Sequence, residues 1–346
     1  MLLVRLDYLG DFLTFLPFAN SYRKRFPEQD IRLIIESKNL FNFASAQGLF
    51  KEIYTDGEFL RTDSFSIKRI FSIFRFLSKH MKNRYDLVIL STKHRNALLN
   101  SIAYLLGRGY VYGFTSGSAE LILLKHIEED TSLREPLRLL ELLKLFDVGY
   151  EEDEIYPPLV VPRQASIVSY LSRFKKSIGI HPGGKRPTNR WMPTRFKSLI
   201  CNIHTRYPEF GFIIMGTSDE KSICDSVIDK DMEGYCANLA GRLDMDEFIS
   251  IVSKLSFMIC NDSGPMHIST MLNIPTIALF GRGVYERWCP LKKIPYFTAV
   301  YKKVACAPCW LWECRHQTCM KNITVDEVLK IYQSMHNEMG SEKINC

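Results

Sequence analysis

The stretch FMICNDSGPMHIST, residues 257–270, indicates the fold class of the chain. A short apolar run ends at Cys260, and Asn, Asp, Ser, Gly and His follow it by residue 267. A buried strand that passes into a helix through a polar turn is typical of parallel α/β sheets. In such sheets, ligands bind outside the carboxyl ends of the strands. The stretch therefore predicts an α/β fold with a ligand site at this turn.

The same alternation of short apolar runs and longer helical segments extends over both halves of the chain. Strand candidates lie at 2–6, 31–35 and 86–90 in the first half, and at 177–181, 210–216, 257–262 and 275–281 in the second. Helices are expected from about Thr194, Asp219 and Gly264, and 275–281 is expected to close the series. The acidic segment EEDEIYPPLVVP, 151–162, has the composition of a linker. The sequence thus predicts two doubly wound α/β domains, 1–155 and 156–346, facing a cleft.

Composition limits the classes of function. The 346 residues are 46% hydrophobic and 24% charged, which excludes a disordered chain. No apolar run approaches the roughly 20 residues that span a bilayer. Charges at Arg5 and Asp7 interrupt the first apolar run, so we expect no export signal and a cytoplasmic protein whose ten cysteines are reduced. The net charge of +7 suits an anionic ligand or membrane face better than nucleic acid, which takes a denser basic stripe.

The turn after the 257–262 strand combines features that favour an anion. The start of a helix offers free backbone N–H groups and a positive dipole end, and Gly264 would let a ligand approach the backbone. His267 lies one turn into the same helix. Asp262 or Ser263 alone could simply cap the helix. The cluster as a whole predicts a site for a phosphate-bearing ligand.

A second loop of this kind, HPGGKRPTNRW at 181–191, follows the 177–181 strand. It holds the adjacent glycines Gly183 and Gly184, with cations at Lys185, Arg186 and Arg190. Glycines and cations after a strand suit a phosphate, although a surface loop would have a similar composition. The loop is not a Walker A motif, because no Gly-Lys-Ser/Thr follows.

Two patterns resemble metal sites. The Asp-x-Asp of residues 244–246 is interpreted as a helix cap, because Glu247 completes a capping box with Asp244 before an apolar run. Four cysteines near the end of the chain could form a tetrahedral zinc shell. Their spacing is shorter than that of standard zinc fingers, so reduced, buried thiols are the favoured interpretation and no metal is expected. These are Cys306, Cys309, Cys314 and Cys319.

The segment FSIKRIFSIFRFLSKHMKNRY, 65–85, is rich in aromatic residues and cations and contains no acidic residue. An interfacial membrane helix has this composition, and so does an ordinary amphipathic helix with a basic solvent face. We expect Phe71, Phe74 and Phe76 to supply apolar contact with an anionic membrane. The cations would be Lys68, Arg69, Arg75, Lys79, Lys82 and Arg84.

Several stretches resemble glycosyltransferase family 9, the heptosyltransferases of lipopolysaccharide core synthesis. They occur in family order and reach both ends of the chain, whereas residues from about 40 to 175 carry little recognisable motif. The stretches are VRLDYLGDFLTFLPF, IHPGGKRPTNRWMPTRF, IIMGTSDE, NLAGRLDMDEFISIVSKLSFMICNDSGPMHISTMLNIPTIALFG and CAPCWLWECRHQTCMKNITVDEVL.

This resemblance implies a GT-B architecture of two Rossmann-like domains, the first for the acceptor and the second for a nucleotide-sugar. It implies an inverting transfer that needs no metal or other cofactor. The donor would be ADP-heptose, and the acceptor a lipopolysaccharide core or related lipid-linked glycan at the inner face of the cytoplasmic membrane. Asp11 would be the general base, although from the residues alone it also fits a helix cap. The implied donor-binding residues are Gly183, Gly184, Lys185, Arg190, Glu220, Asp262, Ser263, Gly264 and His267.

One position departs from the family pattern. The family often has Lys-Arg-Trp where this chain has Asn189, Arg190 and Trp191, and that lysine contacts donor phosphate in relatives. Arg190 or Lys185 would then supply the cation, or the donor would differ. Two other functions share the predicted fold: a module that binds a nucleotide-sugar without turnover, and a nucleotide-sugar epimerase.

Overall fold

The computed structural model describes most of the chain. The described residues are 1–6, 8–35, 38–55, 60, 67–83, 85–92, 97–115, 123–162, 171–281, 283, 285–290, 296–309 and 311–342. Asp7 and Arg84, both named in the sequence analysis, lie outside them, and so does the side chain of Arg69.

The chain divides into two compact units, Met1–Val160 and Val161–Cys346. Within the described residues, each unit holds one six-stranded sheet whose strand pairs are all parallel. This confirms the predicted class of two doubly wound α/β units. No helix among the described residues is both long and apolar enough to cross a membrane.

The first unit has the strand order β3-β2-β1-β4-β5-β6. Its strands are β1 Leu2–Arg5, β2 Arg32–Ile35, β3 Glu52–Tyr54, β4 Val88–Leu90, β5 Val111–Thr115 and β6 Lys125–Glu128. Its helices are α1 Leu9–Arg25, α2 Phe41–Ala46, α3 Ile67–His80, α4 Ala97–Leu106 and α5 Glu135–Leu140. Strand β1 lies between β2 and β4, so the order reverses where α1 begins. Reversals of this kind are where ligands bind in open α/β sheets.

The second unit has the equivalent order β12-β11-β10-β7-β8-β9. Its strands are β7 Lys176–His181, β8 Phe210–Ile214, β9 Cys236–Asn238, β10 Phe257–Asn261, β11 Thr276–Phe280 and β12 Phe297–Tyr301. Its helices are α6 Pro193–Arg206, α7 Lys221–Asp225, α8 Met245–Val252, α9 Gly264–Met271, α10 Tyr285–Trp288, α11 Thr318–Lys321 and α12 Val325–Glu342. The reversal falls between β7 and β10, whose ends are in register at His181 and Cys260.

One sequence-based expectation about elements is wrong, and another is incomplete, because the 151–162 segment contains the boundary between the units but is also partly folded. The series does not close at 275–281, because β12 follows β11 as a further strand at the edge of the sheet. The 151–162 segment is more than a linker: Glu154 is buried, 2.8 Å from Arg25 Nη1 and 3.2 Å from Lys24 Nζ. Burial alone would raise the pKa of Glu154, but the hydrogen bonds from Arg25, the backbone N–H of Glu151 and Lys24 together outweigh it, and the pKa falls to about 2. The ion pairs of Glu154 therefore hold this acidic segment against α1.

Candidate functional site

Asn261, the last residue of β10, joins the two loops that were predicted to bind phosphate. Its side chain is fully buried, and Nδ2 donates to the carbonyls of Pro182 at 2.8 Å and Gly183 at 2.9 Å. Its Oδ1 accepts from the backbone N–H of Trp191 at 3.0 Å. Because Asn261 directly precedes Asp262, the 181–191 loop and the 262–267 turn form one structure at the carboxyl ends of β7 and β10.

The two adjacent glycines have different causes: the carboxylate of Glu220 leaves no room for a side chain at Gly183, and the backbone conformation favours glycine at Gly184. Gly184 has φ +142°, and its N–H donates to Glu220 Oε1 at 2.6 Å. A Cβ atom on Gly183 would lie 2.3 Å from the same oxygen. The loop thus approaches Glu220 more closely than any side chain would permit.

Glu220 holds the 181–191 loop and the turn at Thr217 together. Its Oε2 accepts from the backbone N–H of Thr217 at 2.9 Å and lies 3.4 Å from His181 Nε2. Burial favours the neutral acid, but the hydrogen bond and charge of His181, with the backbone N–H groups, hold the pKa of Glu220 well below its usual range. Both carboxylate oxygens already have partners in the protein, so the predicted contact between Glu220 and the donor remains a prediction.

Asp262 lies beside the residue that departs from the family pattern. The amide Nδ2 of Asn189 donates to Asp262 Oδ2 at 3.3 Å. Asp262 is half-buried, and burial raises the pKa of its carboxyl from 3.8 to about 7. A carboxyl that keeps its proton near neutral pH can donate a hydrogen bond to a phosphate oxygen or accept one from a hydroxyl.

Ser263 and Gly264 begin α9, but Ser263 is not a side-chain cap. Among the described residues no side chain caps this helix, and Ser263 Oγ donates instead to the carbonyl of Asn261 at 3.0 Å. The same hydroxyl lies 3.4 Å from His181 Nδ1. His267 is buried within α9, with its ring centroid 6.3 Å from that of Trp288. The helix-cap alternative is therefore wrong for Ser263. An anion at the start of α9 would bind the same backbone N–H groups that a side-chain cap would occupy.

The cations of the loop have different environments. Arg190 Nε donates to the carbonyl of Gly184 at 2.7 Å, which fixes its side chain along the glycines. Lys185 is exposed on the same loop. Arg186 lies over the ring of Trp312 at 5.8 Å, while Thr188 Oγ1 donates to the carbonyl of Leu311 at 3.1 Å. The cysteine-containing segment thus packs against the loop.

The four terminal cysteines do not share one environment. Cys319 is buried, Cys309 and Cys314 are half-buried, and Cys306 is exposed, so the expectation of buried thiols holds for Cys319 alone. In the described part of the chain, no group of three or more His, Cys, Asp or Glu side chains is placed to hold a metal ion.

The predicted cap at the Asp-x-Asp motif is confirmed. Asp244 Oδ1 accepts from the N–H of Glu247 at 2.8 Å, and Glu247 Oε2 accepts from the N–H of Asp244 at 3.0 Å. The two residues therefore form the capping box at the start of α8 that the sequence predicts.

Asp11, in the first unit, is the third residue of α1. The backbone N–H of Tyr8 donates to Asp11 Oδ2 at 3.3 Å, so the helix-cap alternative is present. Arg5 Nη2 lies 3.7 Å from Asp11 Oδ1, and the Asp11 side chain is 16% exposed. The carboxylate is thus oriented by two partners and still accessible to solvent.

Arg5 belongs to a buried charge cluster that the sequence analysis missed. The Arg5 guanidinium donates to the carbonyls of Ser91 and, at 3.0 Å, Asp11, and lies 3.6 Å from Glu135. Glu135 in turn accepts from Arg138 Nη2 at 2.7 Å. In the sequence, the signal of this cluster is the position of Arg5 in an otherwise apolar strand.

His181 and Asn261 were also missed. Both lie at the end of an apolar strand, and a polar residue at that position was the available signal. Of the predicted site residues, the structure brings Gly183, Gly184, Arg190 and Glu220 into direct contact. It places Asp262, Ser263, Gly264 and His267 on the adjoining turn and helix.

Comparisons with known proteins identify the family of the chain. The sequence pattern of glycosyltransferase family 9 (heptosyltransferase) matches residues 73–320. A lipooligosaccharide heptosyltransferase 2 from Campylobacter jejuni is 28% identical over 166 residues, which cover 46% of this chain and 51% of that protein. The chain thus spans about half the length of the curated relatives that it matches first.

Two solved structures show the same fold. The glycosyl transferase family 9 from Veillonella parvula has a TM-score of 0.78 at 16% identity, covering 97% of each chain. E. coli ADP-heptose LPS heptosyltransferase II has a TM-score of 0.75 at 17% identity, covering 98% of this chain and 99% of that one. These likenesses confirm the predicted GT-B fold class. Because the family pattern covers more than half of the sequence, the chain belongs to glycosyltransferase family 9.

Proposed function

We propose that the protein is an inverting, metal-independent glycosyltransferase. It moves a sugar, heptose from ADP-heptose, onto a lipopolysaccharide core or related lipid-linked glycan, in the cytoplasm at the inner face of the membrane. Family membership and the names of the heptosyltransferase relatives support the reaction class. The observation that carries the proposal is the joined pair of loops around Asn261, where glycine backbone and an uncapped helix start lie side by side.

The donor diphosphate would lie at this pair of loops. The start of α9 offers backbone N–H groups and the positive end of a helix dipole, and Gly183 and Gly184 permit close approach. Arg190 and Lys185 would supply positive charge in place of the lysine that the family resemblance implies at 189. These groups would stabilise the negative charge that develops as the nucleoside diphosphate leaves.

Asp262 and His267 complete the donor site. With its pKa near 7, Asp262 can share a proton with a phosphate oxygen or bind a sugar hydroxyl without the full repulsion of a carboxylate. His267 lies one turn further along α9, where its ring can donate to the same ligand.

Asp11 would act as the general base. It accepts the proton of the acceptor hydroxyl as that oxygen attacks the anomeric carbon and the bond to the diphosphate breaks. The Tyr8 N–H and the Arg5 guanidinium lie against the two carboxylate oxygens and hold the side chain of Asp11 in a fixed orientation. This mechanism needs no cofactor.

We predict that Asp11→Asn lowers the rate of transfer by roughly 10²–10⁴-fold, the usual loss for a general base. Donor affinity, measured by calorimetry, should stay near the wild-type value, because the predicted donor residues lie in the second unit. Asp244→Asn is the matched control, since Asp244 is also a helix-capping acid. Rates should be equal with and without EDTA. Transfer by Asp11→Asn within a few fold of wild type would remove Asp11 from the mechanism.

The same assay separates the two alternative functions. A module without turnover would bind the nucleotide-sugar and release no nucleoside diphosphate when acceptor is added. An epimerase would isomerise the nucleotide-sugar in the absence of acceptor. Release of nucleoside diphosphate that depends on acceptor supports the transferase.

A further inference from the structure

Helix α3 has two apolar faces, and one of them is part of the core. Phe76 and His80 are buried, while Ile73 and Leu77 are half-buried against the same cluster of the first unit. The prediction that Phe76 contacts a membrane is therefore wrong, because its ring is already packed inside the protein. The core accounts for only this side of the helix.

The opposite side of α3 exposes large apolar residues. Phe71 is 70% exposed, Phe74 is 67% exposed and Ile70 is 36% exposed. At about 100° per residue these three positions fall on one stripe of the helix, turned away from Phe76. Met81, just after the helix, is also exposed. Two neighbouring phenylalanine rings left in water are an unusual surface, of the kind that marks an interaction site.

Cations border this stripe, and the segment that carries them contains no acidic residue. Lys68, Arg75 and Lys82 are exposed, and the 65–85 segment contains no Asp or Glu. Lys79 is different, because its ammonium lies 5.0 Å from the centroid of the Tyr54 ring. The exposed face of α3 is therefore apolar along its centre and positive along its edge.

We infer that the exposed face of α3 docks on an anionic bilayer surface. Phe71 and Phe74 enter the headgroup boundary, and Lys68, Arg75 and Lys82 contact lipid phosphates, as in interfacial amphipathic helices. An anionic bilayer is favoured over a second copy of the chain as the partner of this face, because two copies of the face would bring like charges together. The inference deepens the proposed function, on which its role in reaching a lipid-linked acceptor rests.

The test is flotation of the full chain with phosphatidylglycerol-containing vesicles, and with pure phosphatidylcholine vesicles as the neutral comparison. We expect the protein to float with anionic vesicles near 0.01 M salt and to stay in solution near 1 M salt. The reason is that the Debye length shrinks from about 30 Å to about 3 Å over this range. Neutral vesicles should bind it weakly at any salt.

Two double variants separate the apolar and charged contributions. Phe71→Ser/Phe74→Ser should lower the partition coefficient at least tenfold. Lys68→Gln/Arg75→Gln should lower it about 30-fold at low salt, because each cation near an anionic surface contributes roughly a fivefold effect. The matched controls are Leu124→Ser/Leu311→Ser, at two leucines that are each 56% exposed, and Lys254→Gln/Lys330→Gln, which removes the same charge.

Wild-type protein that stays at the bottom of the gradient with anionic vesicles at low salt would overturn the inference. So would control variants that lose as much binding as the α3 variants, or a dimer that Phe71→Ser/Phe74→Ser dissociates while no flotation occurs. Transfer to a lipid-free acceptor is measured in parallel. It should persist in the α3 variants, so that a failure of docking and a failure of the transferase activity are told apart.

Discussion

At the scale of single residues, the contact between Asn189 and Asp262 sets the charge of the candidate donor site. A lysine at 189, which the resemblance to the family would lead us to expect, would place an ammonium beside Asp262 and favour the carboxylate. The amide of Asn189 carries no charge, and burial raises the pKa of Asp262 to about 7. The carboxyl of Asp262 in the candidate site is therefore partly protonated at neutral pH.

The raised pKa of Asp262 has a consequence for stability. Between pH 3.8 and about 7 the folded protein binds a proton that the unfolded chain has released. The free energy of unfolding contributed by this residue therefore falls as pH rises through that window. We predict that Asp262→Asn matches wild type near pH 4 and is more stable near pH 8, by about 2–4 kcal/mol at roughly 1.4 kcal/mol per pKa unit.

Urea denaturation at a series of pH values measures this difference, and Asp219→Asn, at an exposed acid of the same unit, is the control. A wild-type protein that gains stability relative to Asp262→Asn as pH rises would show that the Asp262 carboxylate is favoured in the folded state.

The placement of the candidate-site residues in the second unit could be predicted largely from the sequence. Asp262, Ser263 and Gly264 follow an apolar run, and local pattern alone places them at a strand end. Arg5 could not be predicted as part of a site, because its partner Glu135 lies far along the chain. Pairing between distant residues depends on strand order, which a single sequence does not show.

At the scale of elements, the glycine loop is held by a carboxylate that cannot move freely. Glu220 is fixed by Gly184, Thr217 and His181, so an atom added at Gly183 would have to break these contacts. We predict that Gly183→Ala destabilises the protein by about 1–3 kcal/mol, as overpacking usually does. It should also lower the affinity for ADP at least tenfold.

Gly234→Ala is the matched control for this change, because a Cβ there meets no atom within 4 Å. Calorimetric titration with ADP measures the affinities. If Gly183→Ala binds ADP as tightly as Gly234→Ala does, the glycine loop does not form part of the donor site.

Elements were predicted best where they are long and uniformly apolar. Strands β7, β8, β10 and β11 each hold five or more residues and are almost entirely buried, which gives a continuous apolar run. Strand β9 has only three residues, and β6 is mostly exposed, so neither has a distinctive sequence pattern. Tertiary pairing at the sheet edges, rather than local propensity, makes these segments strands.

At the scale of the whole molecule, the proposed catalytic and donor residues fall in different units. Asp11 and the Arg5–Glu135 pair belong to Met1–Val160, while the residues from Gly183 to His267 belong to Val161–Cys346. Proteins built of two compact units often unfold in more than one step. A ligand that binds one unit should then stabilise one step of unfolding.

We therefore predict two transitions in scanning calorimetry of the full chain. ADP at 100 times its dissociation constant should raise the free energy of unfolding in one of the two transitions by about 2.7 kcal/mol. Glu135→Gln should lower the free energy of unfolding in the other transition by roughly 3–5 kcal/mol, because Arg5 and Arg138 lose the buried carboxylate that lies between them. Glu28→Gln, at an exposed acid of the same unit, should move neither. If ADP and Glu135→Gln shift the same transition, donor binding does not belong to the second unit alone.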